Sequence, residues 1–351
     1  MRFIRYVTIA ELDEEMIVAQ DVFDQSGRVL IAAGKSLNRE IINSLPRYSV
    51  ARIAVQENVV PLITSDEIYQ PVSLVGAEIR GKLLECVGAA FADGNAFPEV
   101  FSQLERQVWQ IIQELSKRSN VLIHLEQMDW MGDYLFVHSA HVGLFSIAIG
   151  MAMGLSRQEL YLLGMGGLLH DLGKVRIDAE ILNKETALSF REFKAVKEHA
   201  LLGYNLLRTD ESMDHRIMLM ALQHHERCNG SGYPWGILGA QIHPLAKIVA
   251  VADVYDALTT DRVYRTKMTS SEAIQIIQAG AGIQFDEKVL QAFQKVAIPY
   301  SIGENVRLDN GLWGKVVRLN TSNLKRPWIQ TQQGELNLLR ETKLNIVGVA
   351  S

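Results

Sequence analysis

The longest largely apolar run, from Leu144 to Leu155, sits inside a stretch of helical periodicity that continues from about residue 121 to residue 299. It is shorter than the ~20 residues a bilayer crossing needs and holds two glycines, so it reads as a buried helix. A helix with so little polar surface must be wrapped by others. About six to eight packed helices are therefore expected over residues 120–299, with glycines kept mostly to helix ends and to a loop in the 230s.

The flanks have other periods. Residues 1–65 carry short β-branched runs, Tyr6–Ile9, Ile17–Val22 and Val29–Ala33, around the turn residues Asp24-Gln25-Ser26-Gly27. A helix capped by Ser36 or Asn38 follows, with Ile41, Ile42 and Leu45 on its apolar side, then a strand near Ala51–Val55. This is a small α+β module suited to regulation or docking. Residues 66–119 return to helical spacing, through Ile79, Leu83, Leu84 and Val87 and then Val100, Leu104, Val108, Ile111, Ile112 and Leu115, and read as connecting helices. After Pro299, strands are expected at Asn305–Leu308, Gly314–Leu319, Trp328–Thr331 and Asn345–Val349, with Asn310-Gly311 as a hairpin turn. The fold class is thus mainly α: a helical bundle at 120–299, an N-terminal α+β module and a small β module at 300–351.

With 351 residues there is room for two or three domains. The 35 Lys and Arg against 40 Asp and Glu leave −5, which carries no electrostatic footprint of a duplex nucleic-acid binder. A small anionic ligand would need local positive charge. Cys86 and Cys228 are too few for a disulfide framework and read as unpaired thiols in a reducing compartment. The segment Met1–Tyr6 is not followed by the apolar core of a signal peptide, so a cytoplasmic location without a membrane anchor is expected.

One segment concentrates chemistry: Gln223-His224-His225-Glu226-Arg227-Cys228-Asn229-Gly230-Ser231-Gly232-Tyr233-Pro234. Adjacent histidines project about 100° apart on a helix, so only a site wrapped around a helix end uses both. Further histidines and carboxylates recur in neighbouring helices at His138, His170-Asp171, His199 and Asp253. Taken alone, His170-Asp171 before Leu172-Gly173-Lys174 is a helix C-terminus whose ring hydrogen-bonds a carbonyl. Together, imidazole and carboxylate suit a divalent transition metal, and an Asp between two sites can bridge a pair of ions.

The ordered series His138, His170-Asp171-Leu172-Gly173-Lys174, His199, His224-His225-Glu226 with Gly230-Ser231-Gly232-Tyr233-Pro234, and Asp253, extended by Arg262-Val263-Tyr264-Arg265, resembles the HD-GYP subgroup of the HD metal-dependent phosphohydrolases. The resemblance runs from about Asp133 to Arg265. It implies hydrolysis of cyclic di-GMP to linear pGpG, or onward to GMP, by attack of a metal-bound hydroxide on phosphorus. It also implies two divalent ions, iron or manganese. His138, His170, Asp171 and Asp253 would hold one, and Asp171, His199, His224 and His225 the other, with Asp171 as the bridge. Lys174 would steady a phosphate oxygen or the hydroxide as a second catalytic group. Some members bind a third ion with a glutamate where this chain has Tyr134, so a binuclear centre is expected and the onward step to GMP is left open.

Asn229 to Pro234 can form a loop whose backbone amides approach a phosphate, with Gly232, Tyr233 and Pro234 at the rim over the nucleotide; Tyr233 reads equally as a turn residue held by Pro234. Arg262 and Arg265, three apart, are expected to clamp its second phosphate. Asp256 reads as a residue that orients a ligand, and His141, on the same face as His138 and able to reach the site, as a packed or surface histidine. The loop would also dock proteins with a GGDEF domain, and the end modules would bind a partner or form a homodimer. Two alternatives stay open: a receptor that binds cyclic di-GMP without turnover, and a phosphohydrolase for another cyclic dinucleotide.

Overall fold

The computed structural model describes residues 3–9, 12, 16–24, 28–48, 50, 52–57, 77–92, 97–117, 134–184, 186–260, 267–320 and 322–350. In the N-terminal module β1 (Phe3–Thr8) and β2 (Ile17–Val18) pair antiparallel with opposite edges of β5 (Arg52–Glu57). The expected strand Ile17–Val22 is bent in its middle, so Val22–Phe23 becomes β3 and pairs instead with β4 (Val29–Ile31). Of the two capping candidates for α1 (Arg39–Ser44), Asn38 is the cap, its side chain accepting from Ile41 N at 2.9 Å. Val7, Val18, Ile31, Leu37, Leu45 and Ile53 close a small core of their own.

The helical body runs through α2 (Ala77–Ala92), α3 (Phe97–Ser116), α4 (Tyr134–Ala152), α5 (Arg157–Leu169), a 3-10 turn at Leu172–Arg176, α6 (Ala179–Leu182) and α7 (Phe190–Lys197). It continues through α8 (His199–Leu207), α9 (His215–Gln223), α10 (Pro244–Thr259), α11 (Ser270–Ala279) and α12 (Glu287–Val296). Among the described residues, α4 to α12 make nine helices, more than expected. The excess comes from α6, a single turn, and from a break at Glu198 that no glycine or proline announces.

At the centre lies α4, in which every residue from Val137 to Gly150 is buried. Among the described residues α4 alone is long and apolar enough to cross a membrane, yet 78% of that window is buried inside the fold. Its Leu144, Phe145, Ile147 and Ile149 are at most 2% exposed, and each contributes roughly 1.5–3 kcal/mol of burial before entropy is counted. The helices α2 and α3 join this same core through Leu83, Val87, Leu104, Val108 and Ile112. Starts are sharply defined where the sequence offers a capping box, as at Ser156/Glu159, Ser189/Glu192 and Thr269/Glu272.

The C-terminal module is a five-stranded antiparallel sheet in the order β10-β6-β7-β8-β9. Its members are β6 (Asn305–Leu308), β7 (Trp313–Arg318), β8 (Trp328–Thr331), β9 (Gly334–Asn337) and β10 (Ile346–Val349). Gly311, at φ +86°, makes the turn between β6 and β7. The fifth strand, β9, was not expected, because Gly334 reads as a break; it instead closes the β8–β9 hairpin and begins the next strand.

Candidate metal centre

Three of the histidines sit where a helix stops or starts. His170 follows α5, His224 follows α9, and His199 opens α8 directly after α7. Each contacts, through Nδ1, the carbonyl three residues back: Gly167 O at 2.7 Å, Ala221 O at 2.9 Å and Val196 O at 2.6 Å respectively. Carbonyls in a helix's last turn lack an intrahelical partner, so the ring N–H supplies one. With Nδ1 as donor, Nε2 carries the free lone pair and is presented away from the helix. The carbonyl bond expected for an ordinary helix-end histidine and the metal reading are therefore compatible in one ring.

His138 is oriented differently. Its Nδ1 lies 2.6 Å from Asp256 Oδ2, while Asp256 Oδ1 takes His141 Nδ1 at 2.7 Å and the Thr260 hydroxyl at 3.2 Å. Asp256 is fully buried, and His141 is packed against it rather than reaching the cluster as a further candidate ligand. His138 Nε2 then faces Asp253 Oδ1 at 3.2 Å.

These rings and carboxylates converge. One potential ligand atom from each of Asp171, His199, His224 and His225 lies within 4.8 Å of the others; the same holds for His138, His170 and Asp171, and for His170, His224 and Asp253. The two oxygens of Asp171 face different partners. Oδ2 lies 3.6 Å from His138 Nε2 and 3.3 Å from His170 Nε2, whereas Oδ1 lies 3.3 Å from His199 Nε2 and 3.9 Å from His224 Nε2. His170 Nε2 and Asp171 Oδ1 are buried without a hydrogen-bond partner. Each such atom costs about 1–3 kcal/mol unless something satisfies it. Converging lone pairs of nitrogen and oxygen, with orphaned acceptors among them, fit a divalent cation.

The electrostatics agree with that fit on most of the cluster. Burial keeps His224 well below the ordinary imidazole range, brings His225 down to about 3, and lowers His199, so these rings are neutral as ligands must be. Burial opposes ionisation of Asp171, but Lys174 and His170 outweigh it and hold the carboxyl well below its usual range. Burial likewise opposes a charge on His138, yet Asp253 and Asp256 overcome it and raise the ring to about 9. A cation held at His138 would therefore take the place of a proton. Lys174 Nζ donates to Asp171 Oδ2, so it serves the central carboxylate directly.

Gly173 makes the closeness of Asp171 and His199 possible. A Cβ there would stand 2.0 Å from His199 O and 2.5 Å from Gly203 N, so no side chain fits between the turn and α8.

The loop after His225 is held by a residue whose role the sequence did not reveal. Glu226 is 3% exposed and accepts from Trp235 N at 2.8 Å, Gly236 N at 3.1 Å and Ile237 N at 3.2 Å. It folds the glycine loop back onto the end of α9 and belongs to none of the ligand groups. A carboxylate just past a helix end, ahead of a glycine segment rich in unpaired N–H groups, is the signal that could have found it. Gly232 packs against this junction, where a Cβ would lie 2.5 Å from Arg227 N. Tyr233 stacks on the His225 ring at 4.5 Å and 28°, and its bond to Pro234 is cis. Tyr134 stacks on His138 at 5.7 Å and 9°. Arg262 and Arg265 lie outside the described residues.

Comparison with known proteins adds to this geometry. The family described as HD domain matches residues 112–289, more than half of the chain. A cyclic di-GMP phosphodiesterase of Pseudomonas aeruginosa is 34% identical over 221 residues, covering 63% of this chain and 53% of that protein. A 3'3'-cGAMP-specific phosphodiesterase of Vibrio cholerae is 31% identical over 168 residues, covering 48% and 36%. The chain thus spans about half or less of these relatives' lengths. Bd1817, a HDG"Y"P protein from Bdellovibrio bacteriovorus, shares the fold with a TM-score of 0.52 at 17% identity, over 83% of this chain and 98% of that one. With the family match spanning the helices that converge on Asp171, and the motif series in order along them, the chain belongs to the HD domain family, in its HD-GYP subgroup.

Proposed function

We propose that the protein is a metal-dependent phosphodiesterase that hydrolyses cyclic di-GMP to linear pGpG. The observation that carries this reading is the split of Asp171, with one oxygen toward His138 and His170 and the other toward His199 and His224. A shared carboxylate between two ligand sets is how a pair of ions is held side by side. In this reading His138, His170, Asp171 and Asp253 hold one divalent ion, Asp171, His199, His224 and His225 hold the other, and iron or manganese suits the donors. When bound, such a pair activates water at neutral pH and screens the charge of a phosphodiester.

The chain's own residues supply the rest. Lys174 leaves an ammonium beside the central carboxylate, where an entering phosphate oxygen meets positive charge. Tyr233 closes the outer face of His225, and Gly232, Tyr233 and Pro234 form the rim against which the nucleotide rests. Arg262 and Arg265 take its second phosphate. Trp235, 58% exposed on the same loop, offers an apolar contact to a partner with a GGDEF domain. Free Cys86 and Cys228 fit a cytoplasmic protein.

Cyclic di-GMP is preferred because the Pseudomonas relative bears that activity in its name, and cyclic GMP-AMP is the comparison substrate because the Vibrio relative bears that one. The test is chromatography of nucleotides after incubating anaerobically purified, iron- or manganese-loaded protein with each compound. Formation of pGpG from cyclic di-GMP is expected. Binding without pGpG or GMP would replace the enzyme with a receptor.

A further inference from the structure

Outside the metal cluster, the most unusual placement is that of Lys197, the last residue of α7. Its Nζ lies 4.7 Å from the ring centroid of Phe193 and 5.0 Å from that of Tyr233. Tyr233 in turn stacks on His225, so the ammonium stands one ring removed from a candidate ligand histidine. No carboxylate neutralises it among the described residues. The helix that carries it buries none of its residues, and Phe190 and Phe193, which share the stripe with Lys197 by helical spacing, are 85% and 49% exposed.

Folding alone does not account for a helix that leaves Phe190 and Phe193 exposed and sets Lys197 over the Phe193 ring with no carboxylate partner among the described residues. The arrangement offers flat apolar faces and a donor in their midst. A phosphate subsite gathers several N–H donors around the oxygens, whereas a single cation between rings matches the edge of a planar heterocycle whose face stacks. Among purines, guanine presents two acceptors, O6 and N7, to a lysine, while adenine places an amino donor where O6 would be.

We propose that Lys197, held between Phe193 and Tyr233, reads the O6/N7 edge of a guanine in the cyclic dinucleotide and sets the preference for guanine over adenine. Phe193 supplies the stacking face. The proposal rests on the phosphodiesterase reading above and names the base specificity of that same site.

The experiment compares kcat/KM for cyclic di-GMP and cyclic di-AMP in the metal-loaded wild type, Lys197→Met and Lys197→Arg, with metal content measured on the same samples. The wild type should favour cyclic di-GMP. In Lys197→Met that preference should fall about tenfold, mainly through a higher KM for the guanine substrate, and Lys197→Arg should restore most of it. An unchanged preference in Lys197→Met, or equal losses on both substrates, would overturn the assignment, as would a wild type indifferent to the base. A wild type that turns over no cyclic dinucleotide removes the phosphodiesterase reading and this proposal with it. That result is distinct from a wild type that discriminates and a Lys197→Met that still does.

Discussion

On the inner wall of the site, His138, His170, His224 and Asp253 are each at most 7% exposed, fixed on or at the ends of α4, α5, α9 and α10. The outer wall, α7, by contrast buries none of its residues and leaves Phe190 85% exposed. The first wall is held by core packing and by hydrogen bonds at every ring's rear. The second is held by its capping box and by the Lys184–Glu192 ion pair at 2.7 Å. Reacting groups must be placed within a fraction of an ångström, which a packed core can do; a recognition surface must admit and release its ligand, which a lightly anchored helix can do.

The sharpest way to break this contrast is at its centre. Asp171→Ala should lower turnover by about a thousandfold and remove metal from the purified protein, as read by elemental analysis. Full activity with normal metal content would mean that the inner wall is not the reacting one. Next in size, Asp256→Asn takes the charge from behind His138 and should weaken metal binding by about 10–100-fold in a competition titration with a chelator. Unchanged affinity would take His138 out of the ligand set. The smallest effect belongs to the rim. Glu226→Gln replaces charge-assisted bonds to three backbone N–H groups, each charged bond being worth about 1.5–3 kcal/mol, and amide exchange at Trp235, Gly236 and Ile237 should speed up by about tenfold with metal content retained. If those amides exchange as before, the rim is held by something other than this carboxylate.

Legibility in the sequence followed the range of the interactions. Strands β6 and β8 appeared at the expected bounds because alternation and the Asn310-Gly311 turn are local signals. Gly334 hid β9 because a strand that begins on a turn glycine looks like the end of one. The break between α7 and α8 left no trace because Lys197, Glu198 and His199 are all compatible with a continuous helix. Within the site, the histidines and carboxylates were visible as residue types in order, and the structure brings them into one cluster. Glu226 and Lys197 were not visible in these roles, since their partners are main-chain N–H groups and aromatic faces whose positions exist only once the chain is folded.

The carbonyl contacts behind His170, His199 and His224 bear on how this site would tolerate sequence change. The residues that orient these rings are Gly167, Val196 and Ala221, and they do so with oxygens that any amino acid possesses. Substitutions at Val196 that keep the helix leave the direction of the His199 ring intact, whereas Gly167 admits no side chain, because a Cβ there would stand 2.6 Å from Gly143 Cα and 2.9 Å from Val142 O. His138 has no such insurance: its direction depends on one side chain, Asp256, 118 residues away. Among the residues that orient the rings without being candidate ligands, random mutation should therefore find its weak points at that carboxylate in α10 and at the crowded Gly167.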